Sequence, residues 1–191
     1  SEHTAQGDTW LVEITPNDGK ADGLSASASV EIANSPPTLD LVSINPATDV
    51  TLDTPLTCTA TGSDLDNDSY STEITWQVLS GGDFYDYSAE GPTFTPTAPL
   101  VQPGDEVWCS AFLQETDGSQ STARQASVTI NNRNPSVDSV FVYSGEPIRS
   151  GATLNCLASV SDLDESALTI DYVWMNGSTV IGVNNGLSID D

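Results

Sequence analysis

Asp64, Asp66 and Asp68 alternate along one short polar run, and Asp162, Asp164 and Glu165 fill a similar run later in the chain. Hard oxygen ligands at alternate positions suit Ca2+, which takes six to eight of them at about 2.3–2.6 Å. Asp residues also populate plain turns, because their side chains bond their own backbone. A Ca2+ site and a simple turn therefore both remain open for each run. Neither run carries the following Gly and distant Glu of an EF-hand loop. Asp40, Asp117 and Asp138 stand near the expected linkers and could complete a site between repeats.

Other chemistry has less to work with. His3 is the only histidine, and no His/Cys metal spacing, G-x-S-x-G elbow or Gly-rich phosphate loop occurs. Paired carboxylates can hydrolyse glycosides, but these recur with a repeat and sit in turn-like loops, so no catalysis is expected. The chain carries 28 acidic residues against Lys20, Arg124, Arg133 and Arg149, a formal charge of −24. That balance excludes nucleic acid and anionic membrane surfaces as expected partners, since both need a basic face. It suits a saline or calcium-containing exterior, where cations screen self-repulsion, although solubility alone also accounts for it. No apolar run reaches the roughly 18 residues of a membrane-spanning helix, and residues 1–30 lack a secretory-signal pattern.

The elements that must hold these residues repeat. A shift of 98 residues lays Pro37 on Pro135, Leu56 on Leu154, Cys58 on Cys156 and Trp76 on Trp174 without a gap. It also lays Ser63-Asp64-Leu65-Asp66 on Ser161-Asp162-Leu163-Asp164. Such a shared register marks an internal duplication. Segment 1–33 matches only the second half of the pattern. Gly7-Asp8 parallels Gly104-Asp105, Asp18-Gly19 parallels Asp117-Gly118, and Ser29-Val30-Glu31-Ile32 falls on Ser127-Val128-Thr129-Ile130. The expected organisation is the second half of a repeat at 1–33, a complete repeat at 34–132, and a first half at 133–191.

Written tail to head, the spacing from Leu187 to Gly7 comes within one residue of that from Phe94 to Gly104. We therefore expect residues equivalent to 1–33 of a next unit to complete 133–191. On that expectation, 191 residues are the translational unit of a longer polymer. An arbitrary boundary is the competing explanation.

Within the complete repeat, short alternating runs are separated by Gly, Pro, Asn and Asp clusters. Leu56, Cys58 and Ala60 share one face, Ile74, Trp76 and Val78 another, and Val107, Cys109, Ala111 and Leu113 a third. Ala126, Val128 and Ile130 supply a fourth after the turn at Thr116-Asp117-Gly118-Ser119. Period-two alternation predicts strands with one buried face each. About seven strands in such a length is the size of a β-sandwich.

The order Cys58, Trp76, Cys109 resembles the immunoglobulin-like pattern, in which a Trp packs on a bridge between two sheets. Val107 stands where a Tyr often precedes the second Cys. A closer resemblance is to the PKD-like and Ig-like repeats of large bacterial extracellular surface proteins. The matching residues are Ser63-Asp64-Leu65-Asp66-Asn67-Asp68, Trp76, Gly104-Asp105 with Cys109, and Asp117-Gly118. The resemblance implies an all-β fold of tandem Ig-like (PKD-like) β-sandwich repeats in an extended array. It also implies an extracellular or cell-surface location and a Cys58–Cys109 disulfide, with two separate buried thiols as the alternative. A bridge closing roughly 50 residues is worth about 4 kcal/mol, a large share of a typical net stability of about 5–15 kcal/mol, and needs an oxidising compartment. Cys156 is then left as a free or intermolecular thiol, because its repeat-mate in the other half is Val12.

On the third run, Trp108 and Phe112 alternate with the inward set and are expected on the outer face as an interface patch, or under a loop or linker. Phe84-Tyr85-Asp86-Tyr87 reads either as a glycan-stacking platform or as packing over the sheet edge. Asn67-Asp68-Ser69 and Asn176-Gly177-Ser178 are glycosylation sequons. The short linkers Asn34-Ser35-Pro36-Pro37 and Asn132-Arg133-Asn134-Pro135 favour a semi-rigid line of domains. The function expected is a structural repeat unit of an extracellular fibre or giant cell-surface protein. It would act as a spacer or filament scaffold, with copies of itself or adjacent repeats as partners. The alternative is an adhesive or carbohydrate-binding module of a secreted protein.

Overall fold

The computed structural model describes residues 4–165 and 167–188, the side chains of 88–90 excepted. His3 and both ends of the expected tail-to-head join lie outside the described residues, as does Ser166. The chain is all-β, with 51% of it in strands and no helix among the described residues.

The first segment holds β1 (Thr9–Ile14) and β2 (Ala26–Glu31), paired as an antiparallel hairpin. The middle segment holds seven strands, beginning with β3 (Thr38–Asn45), β4 (Leu56–Ser63), β5 (Tyr70–Ser80) and β6 (Asp83–Glu90). It continues with β7 (Thr93–Phe94), β8 (Glu106–Glu115) and β9 (Arg124–Thr129). The last segment holds β10 (Ser136–Tyr143), β11 (Thr153–Ser161), β12 (Trp174–Asn176), β13 (Thr179–Gly182) and β14 (Gly186–Ser188).

In the middle segment, an antiparallel sheet of order β3-β4-β7 faces one of order β6-β5-β8-β9. The alternation read along β8 is realised in full: Val107, Cys109, Ala111 and Leu113 are buried, and the residues between them are half-buried. Trp76 on β5 is buried opposite Cys109. Its indole stacks on Phe94 at 5.4 Å, and its Nε1–H donates to the Gly91 carbonyl at 2.9 Å. A Cys58–Cys109 disulfide joins β4 to β8 and so ties the two sheets together. Every buried apolar side chain among the described residues lies between Pro37 and Ile130.

The outer segments copy this geometry without its burial. The β10–β11 pair repeats the register of β3–β4, including a bulge at Val137/Ser139 where β3 has one at Leu39/Leu41. Trp174 Nε1–H donates to the Asn184 carbonyl as Trp76 does to Gly91. Gly7 N–H donates to Ile32 O, as Gly104 N–H does to Ile130 O. Yet Val140 is 56% exposed where Val42, its match on β3, is 8% exposed. Trp10 on β1 is 50% exposed where Val107, its match on β8, is fully buried. Cys156 is free and half-buried.

Candidate metal centre at the first linker

The loop between β4 and β5 is wound around one carboxylate. Asp64 Oδ1 accepts the N–H groups of Asp66 (2.8 Å) and Asp68 (3.1 Å), and Asn67 turns the chain with a φ of 63°. Those bonds hold the Asp64 carboxyl below the usual range, Asp68 N–H contributing most. Asp66 does a different job. Its Oδ2 accepts the Ser35 N–H at 2.8 Å and pins the first linker to the loop.

Glu115 approaches from the end of β8. Continuing that strand's alternation past Leu113 turns a carboxylate inward, and Glu115 is only 5% exposed. Its Oε2 accepts the side-chain amide of Asn34 at 2.7 Å; the same amide reaches Asp117 Oδ2 and Ser119 Oγ, each at 3.2 Å. The Asn34 bond favours the ionised carboxylate, but burial and the nearby Asp64 and Asp117 charges outweigh it and push the Glu115 carboxyl up.

Asp64, Asp68 and Glu115 each offer a carboxylate oxygen, and the three lie within 4.8 Å of one another. Three buried side-chain oxygens among the described residues have no hydrogen-bond partner: Asp64 Oδ2, Glu115 Oε1 and Asn34 Oδ1. All three belong to this cluster. A buried oxygen without a partner costs the desolvation of that atom, and crowding carboxylates raises the cost. A hard cation bound by oxygen relieves both penalties, so the donor set fits one.

Of the residues singled out from sequence, the structure brings Asp64 and Asp68 together and sets Asp66 to hold the linker. Asp117 borders the cluster through Asn34, whereas Asp40 and Asp138 are not part of it. Asp138 instead accepts from Ser161 Oγ at 2.8 Å. Asn34 and Glu115 were missed. The signal for Glu115 was present in the period of β8; for Asn34 there was only its place in the linker.

The matching loop at Asp162, Asp164 and Glu165 has the same winding, with Asp162 Oδ1 accepting the N–H groups of Asp164 (2.6 Å) and Glu165 (3.1 Å). Its second carboxylate differs. Asp164 has a fully buried side chain that takes Arg133 N–H on Oδ2 at 2.5 Å. Its Oδ1 accepts Arg133 Nε at 2.8 Å and Nη2 at 2.5 Å. The guanidinium holds the Asp164 carboxyl below its ordinary range, and Asp164 raises Arg133 in return.

The expected surface residues fall on β6 and β8. Trp108 and Phe112 are half-buried. Phe84 meets Trp108 edge-on at 5.6 Å, and Tyr87 meets Phe94 edge-on at 5.2 Å. Tyr85 is exposed beside an open hollow shared with Tyr87, Pro99 and Leu100.

No protein-family model matches the chain, and no curated protein matches it.

Proposed function

We propose that this chain is a structural repeat unit of an extracellular fibre or giant cell-surface protein. In this reading, Ig-like sandwiches follow one another through short Pro-containing linkers and act as a spacer or filament scaffold. The observation that carries it is the bare apolar face on each outer segment. β1–β2 has the strand register of β8–β9, and β10-β11-β14 has that of β3-β4-β7. Each outer segment therefore offers what the other lacks relative to the middle sandwich, and burying those faces is the driving force for association. The disulfide supports an oxidising location, and none of the described residues forms a helix long and apolar enough to cross a membrane. The Asp64–Asp68–Glu115 cluster serves this scaffold as a Ca2+ site at the first linker; no catalytic role is assigned.

Joining two copies head to tail in one polypeptide provides the test. Limited proteolysis should then leave three protected sandwiches: the 34–132 segment of each copy and one built from 133–191 of the first copy and 1–33 of the second. Protection confined to the 34–132 segments overturns the reading. A glycan-binding role draws its support from the hollow beside Tyr85. Glycan-array binding lost on Tyr85→Ala would favour that role over a pure spacer.

A further inference from the structure

We infer that the two linkers are closed by different cations: a hard divalent ion of the calcium class at Asn34-Ser35, and the chain's own Arg133 guanidinium at Asn132-Arg133. The inference rests on the Ca2+ reading above and adds that the ion acts on one junction only.

The two junctions share a frame. In each, the residue that leads into the sandwich donates its backbone N–H to the second Asp of the loop. These bonds are Ser35 to Asp66 (2.8 Å) and Arg133 to Asp164 (2.5 Å). In each, the first Asp winds the loop by accepting that second Asp's N–H. The frame differs where charge is handled. Ser35 brings no charge, and the first loop keeps an unpartnered oxygen on Asp64 facing the unpartnered oxygen of a 5%-exposed Glu115.

Arg133 brings a guanidinium that binds Asp164 through Nε and Nη2, reaches the Leu163 carbonyl at 3.3 Å and lies 3.9 Å from Asp53 of the preceding sandwich. Two guanidinium N–H donors converge on Asp164 Oδ1 while the Arg133 backbone N–H takes Oδ2, so the acidic charge is met by fixed donors on both oxygens. The ligand set differs too. The sequence has Ser166 where the first loop has Asp68, and Asn132 turns its amide to the Arg133 carbonyl at 2.7 Å. The second loop therefore lacks a carboxylate at the position of Asp68, carries Glu165 in place of Asn67, and already holds a cation.

Calorimetric titration of the full chain with CaCl2 should give one equivalent bound, not two. Copying the second junction into the first, with Ser35→Arg and Asp68→Ser together, should weaken uptake by about tenfold or more, since a charged ligand is lost and a cation gained. In the unaltered chain, adding a chelator should speed amide exchange at Ser35 and leave Arg133 N–H unchanged. Arg133→Ser should speed exchange at residue 133 with or without Ca2+ while one equivalent still binds. Two equivalents of Ca2+, undiminished uptake by the double variant, or equal chelator sensitivity at both amides overturns the inference alone. No uptake at all by the unaltered chain overturns the Ca2+ reading and this inference with it.

Discussion

Asn34 donates its side-chain amide to Glu115 at 2.7 Å, joining the first linker to the end of β8 across a sequence separation of 81. The contact makes the linker part of the sandwich it enters. It also leaves the other Glu115 oxygen facing Asp64 and Asp68 with nothing to accept from.

Glu115→Gln should lower calcium affinity and raise stability in chelator, because the amide ends the repulsion with Asp64 and keeps its neutral form at every pH. Thermal melts with and without Ca2+ check both signs. A Gln variant that melts lower in chelator and binds Ca2+ normally would contradict the geometry described.

The metal-free chain should respond to pH through the same residue. Glu115 has its carboxyl raised from an ordinary 4.5, so its contribution to stability is present below that value and is lost as pH rises through the raised one. Asp64 and Asp164, lowered from 3.8, act in the opposite sense: their contributions hold above that value and fade as pH falls through the lowered ones. Urea unfolding in chelator should thus show a Glu115-dependent fall in stability above about pH 4.5 that Glu115→Gln removes and Ca2+ suppresses.

Replacing Cys58 and Cys109 with Ala should cost about 4 kcal/mol by the loop-entropy estimate, for a closed span of 51 residues. The unfolding free energy in urea, compared with that of the disulfide-bonded parent chain, measures it.

Gly62→Ala should be destabilising out of proportion to one methyl group. A Cβ there would meet the Leu113 side chain at 2.5 Å and the Thr38 carbonyl of the neighbouring strand. Overpacking of this kind costs about 1–3 kcal/mol, and a lowered melting temperature at unchanged disulfide content is the expected result.

Val140→Glu should abolish association between chains while leaving the middle sandwich intact, because its side chain is exposed and lies outside the buried core. Light scattering should report loss of larger species. The urea midpoint of the middle sandwich should move by no more than about 0.5 kcal/mol in free-energy terms.

Much of the fold was legible because period-two alternation is a local signal. Val107, Cys109, Ala111 and Leu113 declare β8 without reference to anything else. The candidate metal centre was legible only in part, because its carboxylates come from two distant places in the chain. Asp64 and Asp68 stood together in sequence. Glu115 broke an apolar series that identified inward positions by hydrophobicity, so the one carboxylate that obeyed the period was passed over. Asp66 looked like a ligand by spacing alone, but its backbone partner is Ser35, a contact set by how the linker folds back. Arg133 was counted as one of four cations in the net charge; its bond to Asp164 depends on tertiary placement that no spacing reveals.

The cross-link between Cys58 and Cys109 also governs how the chain lengthens under tension. Force applied at the two termini bypasses the span between those sulfurs, since the covalent bond carries the load. At roughly 3.4 Å per residue, about 170 Å of contour stays locked until the bond is reduced. The segments on either side have no such tether, so they would yield their length first and the bridged sandwich last.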